Sequence, residues 1–582
     1  MMNRAAELGD ALAIPSIEAV GLRLDHCRRL TGPGYLWDRV GAVAEVVITG
    51  FDTGAVIAAW ERHATRLQAE IGWGREARTS RVFEGGAILG LSAPLDQLFT
   101  AAFTMETAWH FTAAEVLGRS PGNYPRMLAD LQALKTREVD PALMALVAGA
   151  EMRGLDLLLD DEVMTIGHGF GAQSWPLDAL PRPEAVDWAS LHEIPVALIT
   201  GTNGKTTTTR LIAAIATAAG RVAGLSSTDG VLVGRERTGA GDFSGPAGAR
   251  LVLRDRRTEV AVLEVARGGI LRRGLSLRRA SVGVVTNVAA DHLGHYGVMK
   301  VAELAGVKLS IRRGLRPGAP MVLNADDANV VAGAAGLTGP LWWFAMTKDA
   351  LPLVRGTPCA FVEGSMLMLF DGHIAQPVLP MTEIPIALGG AAAYNIQNAL
   401  AAVLAAHALG LPLIAMATAL HGFQSDAIDN PGRCNEFSCN DARVFVDFAH
   451  NPHSIAAVVG ALAPLPARRR FILMSHAGDR SDQDIRDLVA GAMAFRPDVV
   501  VAAENPGYLR GRSPGEVPRL IREAAEAAGL SPHAVLDARS PAEGAKAILD
   551  RLHPGDIALL LVHDERAKIY AMLGAQVPQK VT

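Results

Sequence analysis

A glycine- and threonine-rich turn between two apolar runs limits most strongly what this chain can fold into. Pro195–Thr200 (PVALIT) is a short continuous apolar stretch, the pattern of a strand buried on both faces. GTNGKTTTT (Gly201–Thr209) follows at once, and Thr206–Ala219 continues as an alanine-rich helix. A strand that passes through a tight glycine turn into a helix leaves backbone N–H groups free at the helix N-terminus. They cradle phosphate oxygens, and the helix dipole adds to the attraction. Thr202, Asn203 and Gly204 form such a turn here, Lys205 is placed to reach terminal phosphates, and a hydroxyl of Thr206 or Thr207 is placed to ligate Mg²⁺. The general phosphate-loop pattern has four residues between its glycines. Here only Thr202 and Asn203 stand between Gly201 and Gly204, so the loop is a shortened form in the right strand–GKT–helix context.

The chain of 582 residues has room for three or four domains. Further apolar runs at Glu259–Leu263, Val282–Thr286 and Met321–Leu323 alternate with helical stretches and predict a doubly wound central α/β domain over residues 186–422. A second seam lies near His421–Gly432. After it, Val444–Asp447, Phe471–Met474, Val499–Ala502 and Ile557–Val562 alternate with helices, which predicts a smaller Rossmann-like domain over residues 423–582. Residues 1–185 read as an α+β domain, with a strand at Ala42–Ile48 and a helix at Ala55–Ile71. The polar stretch Ser174–Trp188, with three prolines, reads as a linker. The expected class is therefore α/β, preceded by an α+β unit.

Composition removes several function classes. Apolar residues make up 49% and charged residues 20%, the balance of a globular protein rather than a disordered one. Lys and Arg total 55 against 60 Asp and Glu, a net charge of -5, which argues against a nucleic-acid partner. Four cysteines (Cys27, Cys359, Cys434 and Cys439), none in a CxxC pair, read as reduced thiols of a cytoplasmic protein. The start, MMNRAAELGDALAIPS, has charges where a signal peptide needs its apolar stretch. The apolar-rich region Ala391–Leu420 is broken by Asn395, Gln397, Asn398, His407 and Pro412, short of the roughly 20 uninterrupted apolar residues that span a membrane.

The shortened loop TGTNGKTTTT resembles that of the Mur ligase superfamily, which joins amino acids to carboxylates with ATP. The rest of that family's pattern follows in order over roughly residues 190–580. LEVARGG (Leu263–Gly269) places Glu264 where the family has a Mg²⁺-binding carboxylate. TNVAADHLGHYG (Thr286–Gly297) matches the family's DH pair, with His292 at a second-metal position, and Lys308 falls where many members carry a carbamylated lysine. LNADD (Leu323–Asp327) is a further signature. Asn395 and Asn398 in YNIQN correspond to asparagines that contact adenine, while Arg433 and Asp447 correspond to ATP-contacting residues. The resemblance also puts Arg267 near the acceptor carboxylate, and Asp479 and Arg480 near the incoming amino acid. Read without it, Glu264 is a strand-end carboxylate, Lys308 a solvated helix lysine, Asn395 and Asn398 polar positions on a helix, Arg433 a turn arginine, and the last three structural salt bridges. Zinc on His292 and His295 lacks nearby Cys partners.

STDG (Ser227–Gly230), GDFSGP (Gly241–Pro246), EVARGGILRRGL (Glu264–Leu275), AGDRSDQDI (Ala477–Ile485) and LRGRSPGE (Leu509–Glu516) resemble, more narrowly, the Mur-ligase half of the cyanophycin synthetase family. Arg29–Val46 resembles the start of that family's N-terminal domain and Ala148–Ala172 the segment introducing its ATP-grasp domain. The chain then runs straight into the phosphate loop. The resemblance implies an ATP- and Mg²⁺-dependent ligase that adds an amino acid, arginine in the family, to a carboxylate of an acidic peptide or polymer through an acyl phosphate. With no ATP-grasp domain, a separate synthetase is expected to supply the backbone, and a homo-oligomer is expected. AAENPGY (Ala502–Tyr508) holds only Glu504 where the family tends to have several aspartates, which leaves the amino acid open. A Mur-type ligase for an unrelated small carboxylate and a non-catalytic nucleotide-binding subunit of a synthetase are the alternatives.

Overall fold

The fold is described from a computed structural model, which covers residues 4–352 and 356–574. Its centre is an eleven-stranded sheet. Across it, Ala223–Ser227, Val260–Glu264, Val196–Thr200, Val282–Val285, Met321–Asn324, Leu341–Ala345 and Cys359–Glu363 lie side by side, every neighbouring pair parallel. Hairpins add antiparallel strands at both edges: Gly230–Val233 and Glu236–Gly239 at one, Met366–Phe370 and Ala375–Pro380 at the other. The continuous apolar runs are explained by burial on both faces. Ile199 and Val262 pack under the helices Lys205–Ala218 and Ala393–Ala408, whereas Leu198 and Leu263 pack on the opposite side with Val252 and Leu304.

The chain order makes the carboxyl end of Val196–Thr200 special. From this strand the chain goes first to Ala223–Ser227 and Val260–Glu264 on one side, then to Val282–Val285 on the other. Such a reversal opens a crevice at the strand ends, the usual ligand position in an open α/β sheet. The phosphate loop stands there.

A six-stranded sheet follows, in the order Asn435–Cys439, Ala442–Asp447, Ile557–Leu561, Arg470–Met474, Val499–Ala503 and Val535–Ala538. All its pairs but the first are parallel. The N-terminal part is a four-stranded antiparallel sheet, ordered Leu22–Leu30, Gly41–Ile48, Gly86–Ser92 and Arg78–Phe83. The helices Thr53–Glu70 and Leu98–Val116 cover it, closing a core around Trp60, Leu89 and Met105.

The stretch read as a linker differs from expectation. Gln173–Pro176 is a strand of a small three-stranded sheet, and Trp175, Leu177, Leu180 and Trp188 pack with Leu143 and Leu146. The Trp188 indole N–H donates to the Pro183 carbonyl at 2.8 Å. The prolines set turns in an ordered segment, and the apolar side chains between them outweigh its polar composition. No helix among the described residues is long and apolar enough to cross a membrane.

Candidate active site

The phosphate loop opens on a cleft of about 940 Å³ between the central and C-terminal sheets. Ten of the residues singled out from the sequence line it: Thr202, Asn203, Gly204, Lys205, Thr206, Thr207, Glu264, Asn398, Arg433 and Asp447. Tyr394, Phe448, Ala457 and Val458 give it an apolar wall. Two helices point their N-termini at this space. Lys205–Ala218 begins after Gly204 with no side-chain cap, which leaves its first amides available to an anion. Pro452–Leu462 begins across the cleft, capped by Asn451.

Gly204 is required by geometry. Its φ is 83°, and a Cβ there would collide with the Asn398 carboxamide oxygen. Gly204→Ala should therefore cost at least about 1–2 kcal/mol of stability and displace Asn398; if the cleft takes the adenine nucleotide that the resemblance implies, its affinity should fall as well. Thermal unfolding and ADP titration check both effects.

The Lys205 ammonium folds back on its own loop, donating to the Gly201 carbonyl at 3.0 Å and the Thr202 carbonyl at 2.9 Å. Thr206 donates its hydroxyl to Glu264 Oε2 at 2.8 Å. Glu264 is only 2% exposed, and its Oε1 is buried without a hydrogen-bond partner. Burial pushes this carboxyl above its ordinary 4.5, against the opposing pull of Lys205 and of the Thr206 hydrogen bond. An unpartnered buried carboxylate oxygen beside a threonine hydroxyl at a phosphate loop is a donor set that suits Mg²⁺, which needs few protein oxygens when phosphates and water complete its shell. Arg433 donates to Thr206 Oγ1 at 3.3 Å and lies over the Phe448 ring. Asp447 shapes the adjoining turn, accepting from the backbone N–H of Cys434 at 2.7 Å and of Ala449 at 2.6 Å.

Other expected residues are placed differently. Asn395 does not line the cleft. It donates to the Ile386 carbonyl at 2.8 Å and accepts from Asn398 at 3.2 Å, so it stands behind Asn398 and orients it. Asp479 is bonded by Arg510, and Arg480 reaches 3.5 Å from Asp291 Oδ1 in the central part. Each makes an ion pair in the structure. His292 has a left-handed φ of 49° and faces Asp291 at 3.9 Å rather than Glu264. Lys308 is 4% exposed, and burial holds its ammonium well below the usual lysine range, with Lys205 repelling it, Asp291 opposing and Arg267 repelling. Arg267 keeps a buried Nη1 without a partner.

Several residues of this region were not singled out. Asp291 collects the charges around it: burial raises its carboxyl, yet His292, His450, Arg480 and Lys205 together pull it below its ordinary value. Asp229 accepts from Arg566 at 2.8 Å and so ties the C-terminal part to the loop after Ala223–Ser227. Asn203 and Asn451 exchange amide hydrogen bonds at 3.2 and 3.0 Å across the cleft. At the carboxyl ends of the C-terminal strands, Ser475 Oγ, His476 Nε2 and both carboxamide atoms of Asn505 are buried without partners. Asp291 and Asp229 belong to the DH and STDG segments already noticed. Asn505 lies in the segment read only for its missing aspartates.

Residues 199–406 match the Mur ligase middle domain and residues 432–561 the Mur ligase, glutamate ligase domain. A cyanophycin synthetase of Trichormus variabilis is 35% identical over 399 residues, 64% of this chain and 44% of that protein. The chain thus spans less than half the length of that relative. A UDP-N-acetylmuramoyl-L-alanyl-D-glutamate–2,6-diaminopimelate ligase of Geobacter metallireducens is 28% identical over 54% of this chain and 60% of that protein. Among solved structures, a pseudomurein peptide ligase type C from Methanothermus fervidus superposes with a TM-score of 0.45 at 18% identity, covering 66% of this chain and 81% of that one.

Proposed function

The chain belongs to the Mur ligase family, and from that premise we propose that it is an ATP-dependent, ADP-forming ligase that joins an amino acid to a carboxylate of an acidic peptide or polymer. One observation carries the reading. The phosphate loop, the half-satisfied Glu264 carboxylate and Arg433 converge on one cleft between two α/β sheets. In this reading ATP lies along the cleft, its base beside Tyr394, Phe448 and Asn398 and its phosphates on the loop amides. Thr206 and Glu264 would hold Mg²⁺, which would neutralise phosphate charge. Lys205 and Arg433 spread the charge that develops on the transferring phosphoryl group.

The acceptor carboxylate attacks the γ-phosphorus, the bond to the ADP oxygen breaks, and an acyl phosphate forms. Arg267, with its unpartnered buried donor, faces the acceptor in this scheme. An amine then attacks the acyl carbon, phosphate leaves and an amide remains. The incoming amino acid is assigned to the strand ends carrying Ser475, His476 and Asn505, whose unpaired buried atoms are costly unless a ligand engages them. The C-terminal part, tied to the loop through Asn451 and Arg566, keeps water from the acyl phosphate. Only a small three-stranded sheet and turns separate the N-terminal part from the phosphate loop, so backbone synthesis is assigned to a separate synthetase.

ADP release measured with each of the twenty amino acids, crossed with short aspartate-rich acceptors, tests the proposal. Release that needs both an amino acid and an acidic peptide supports it. Release only with a non-peptide acid, or none with any pair, overturns it.

The pH dependence of Mg²⁺ binding follows from Glu264. A metal ligates the carboxylate, not the acid. Because burial raises this carboxyl, protons compete with Mg²⁺ at a higher pH than at an exposed glutamate. The thermal stabilisation by ADP that depends on Mg²⁺ should therefore fade while pH is still above 4.5. Without metal the sign reverses. The folded chain holds this proton longer than the unfolded one, so the group favours folding below its raised pKa and loses that contribution as pH climbs through it. Melting curves with and without Mg²⁺ across acid to neutral pH check both signs.

A further inference from the structure

The segment from Asp291 to Leu309 carries Asp291, His292 and Lys308, and its two ends are held by different parts of the molecule. The residues that lead into it, 287–289, are tied to the phosphate loop. Thr202 N–H donates to the Asn287 carbonyl at 2.9 Å, and the Thr202 hydroxyl and Ala289 exchange hydrogen bonds at 3.1 and 3.0 Å. Beyond Ala289 the backbone is strained. His292 and Tyr296 are left-handed non-glycine residues, and Gly297 is left-handed at a place where a Cβ would collide with the Phe83 ring.

The far end is held from the N-terminal sheet. Arg81, on the edge strand Arg78–Phe83, donates to the Gly297 carbonyl at 2.8 Å and the Tyr296 carbonyl at 3.1 Å. Its guanidinium also lies 3.7 Å from Glu303. Glu303 in turn accepts from the backbone N–H of Met299 at 2.7 Å and of Lys300 at 3.0 Å, fixing the start of the helix Val301–Leu309 on which Lys308 stands. Tyr35, also from the N-terminal part, packs on Gly306, one half-turn before Lys308, and its carbonyl accepts from Arg313 at 2.7 Å. The N-terminal part therefore touches both halves of the segment, and among the described residues Arg81 is the one side chain bonded to its loop and ion-paired to its helix.

We propose that Arg81 is a positioning residue for the ligase reaction, acting through the loop Asp291–Gly297 and the helix Val301–Leu309 to set His292 and Lys308 against the phosphate loop. This rests on the ligase reading above. The N-terminal part is then a brace of the catalytic half and not only an appended module.

The test uses the full chain with Arg81→Ala, Arg81→Lys and, as a control on the same sheet, Arg23→Ala, whose side chain is exposed and pairs only locally with Asp25. Arg81→Ala should lower kcat about ten- to a hundred-fold with KM for ATP changed less than about two-fold, because misplacement of reacting groups costs rate more than ground-state binding. Arg81→Lys should recover part of the rate, and Arg23→Ala should match the parent. Hydrogen exchange should quicken over residues 291–309 in Arg81→Ala and stay unchanged over Lys205–Ala218. An unchanged kcat, an equal loss of ATP binding, or unchanged exchange over 291–309 overturns the proposal. If the parent chain releases no ADP with any substrate pair, the ligase reading fails, and the exchange pattern alone still decides whether Arg81 braces the segment.

Discussion

Lys205→Met should lower the rate of ADP release by about a hundred- to a thousand-fold while the chain stays folded. The estimate follows from the loss of one preorganised donor facing developing charge, in a site where little else is required of the protein than position and electrostatics. Methionine keeps the length and apolar volume of the lysine stem, so helix packing is retained. The ammonium donates to the carbonyls of Gly201 and Thr202, at 3.0 and 2.9 Å. Their loss should cost about 1–3 kcal/mol, within reach of a domain's stability. The expected signature is a collapse of kcat with a melting temperature lowered by about 2–12 °C, short of unfolding at the assay temperature. A variant that releases ADP within a few-fold of the parent would remove Lys205 from the chemistry.

Glu264→Gln should be as damaging to activity and opposite in its effect on stability. The carboxylate sits at the end of Val260–Glu264, 2% exposed, with one oxygen on Thr206 and the other unpartnered. A buried charge with an unmade hydrogen bond is costly. The neutral amide retains the acceptor for Thr206 and removes the charge, so the metal-free variant should gain about 1 kcal/mol or more in stability. It should also lose the stabilisation that Mg²⁺ adds to ADP binding, and turnover should fall about a hundred-fold or more. Equal melting curves for parent and variant with Mg²⁺ and ADP, together with retained turnover, would show that the unpartnered oxygen has no part in metal binding. A destabilised variant would instead mark Glu264 as a structural residue.

The parallel strands were legible because each is a continuous apolar run, buried on both faces; Val282–Val285 and Met321–Asn324 fall within a residue or two of expectation. The antiparallel strands of the N-terminal part were mostly not. Leu22–Leu30 (LRLDHCRRL) and Arg78–Phe83 (RTSRVF) each carry several charged residues, because one face is wet or meets another part of the chain. Ser174–Trp188 was misjudged for a related reason, since its tryptophans pack on a helix far earlier in the chain. In the site, the residues of the loop and the strand end were found in their expected cleft. Asn395 was not. Its spacing from Asn398 puts both on one helix, and only the packing against Ile386 decides which of them faces the cleft.

By itself the sequence determined the phosphate loop, its strand and its helix, because that geometry is made by consecutive residues whose φ, ψ and hydrogen bonds are local. Only the tertiary structure decided which distant charges meet. Arg480 meets Asp291 across 189 positions and Arg566 meets Asp229 across 337. Nothing local orders such pairs. They form where sheets from different parts of the chain bring their edges and strand ends together, and an ion pair gains enough to matter only where that packing removes water from around it.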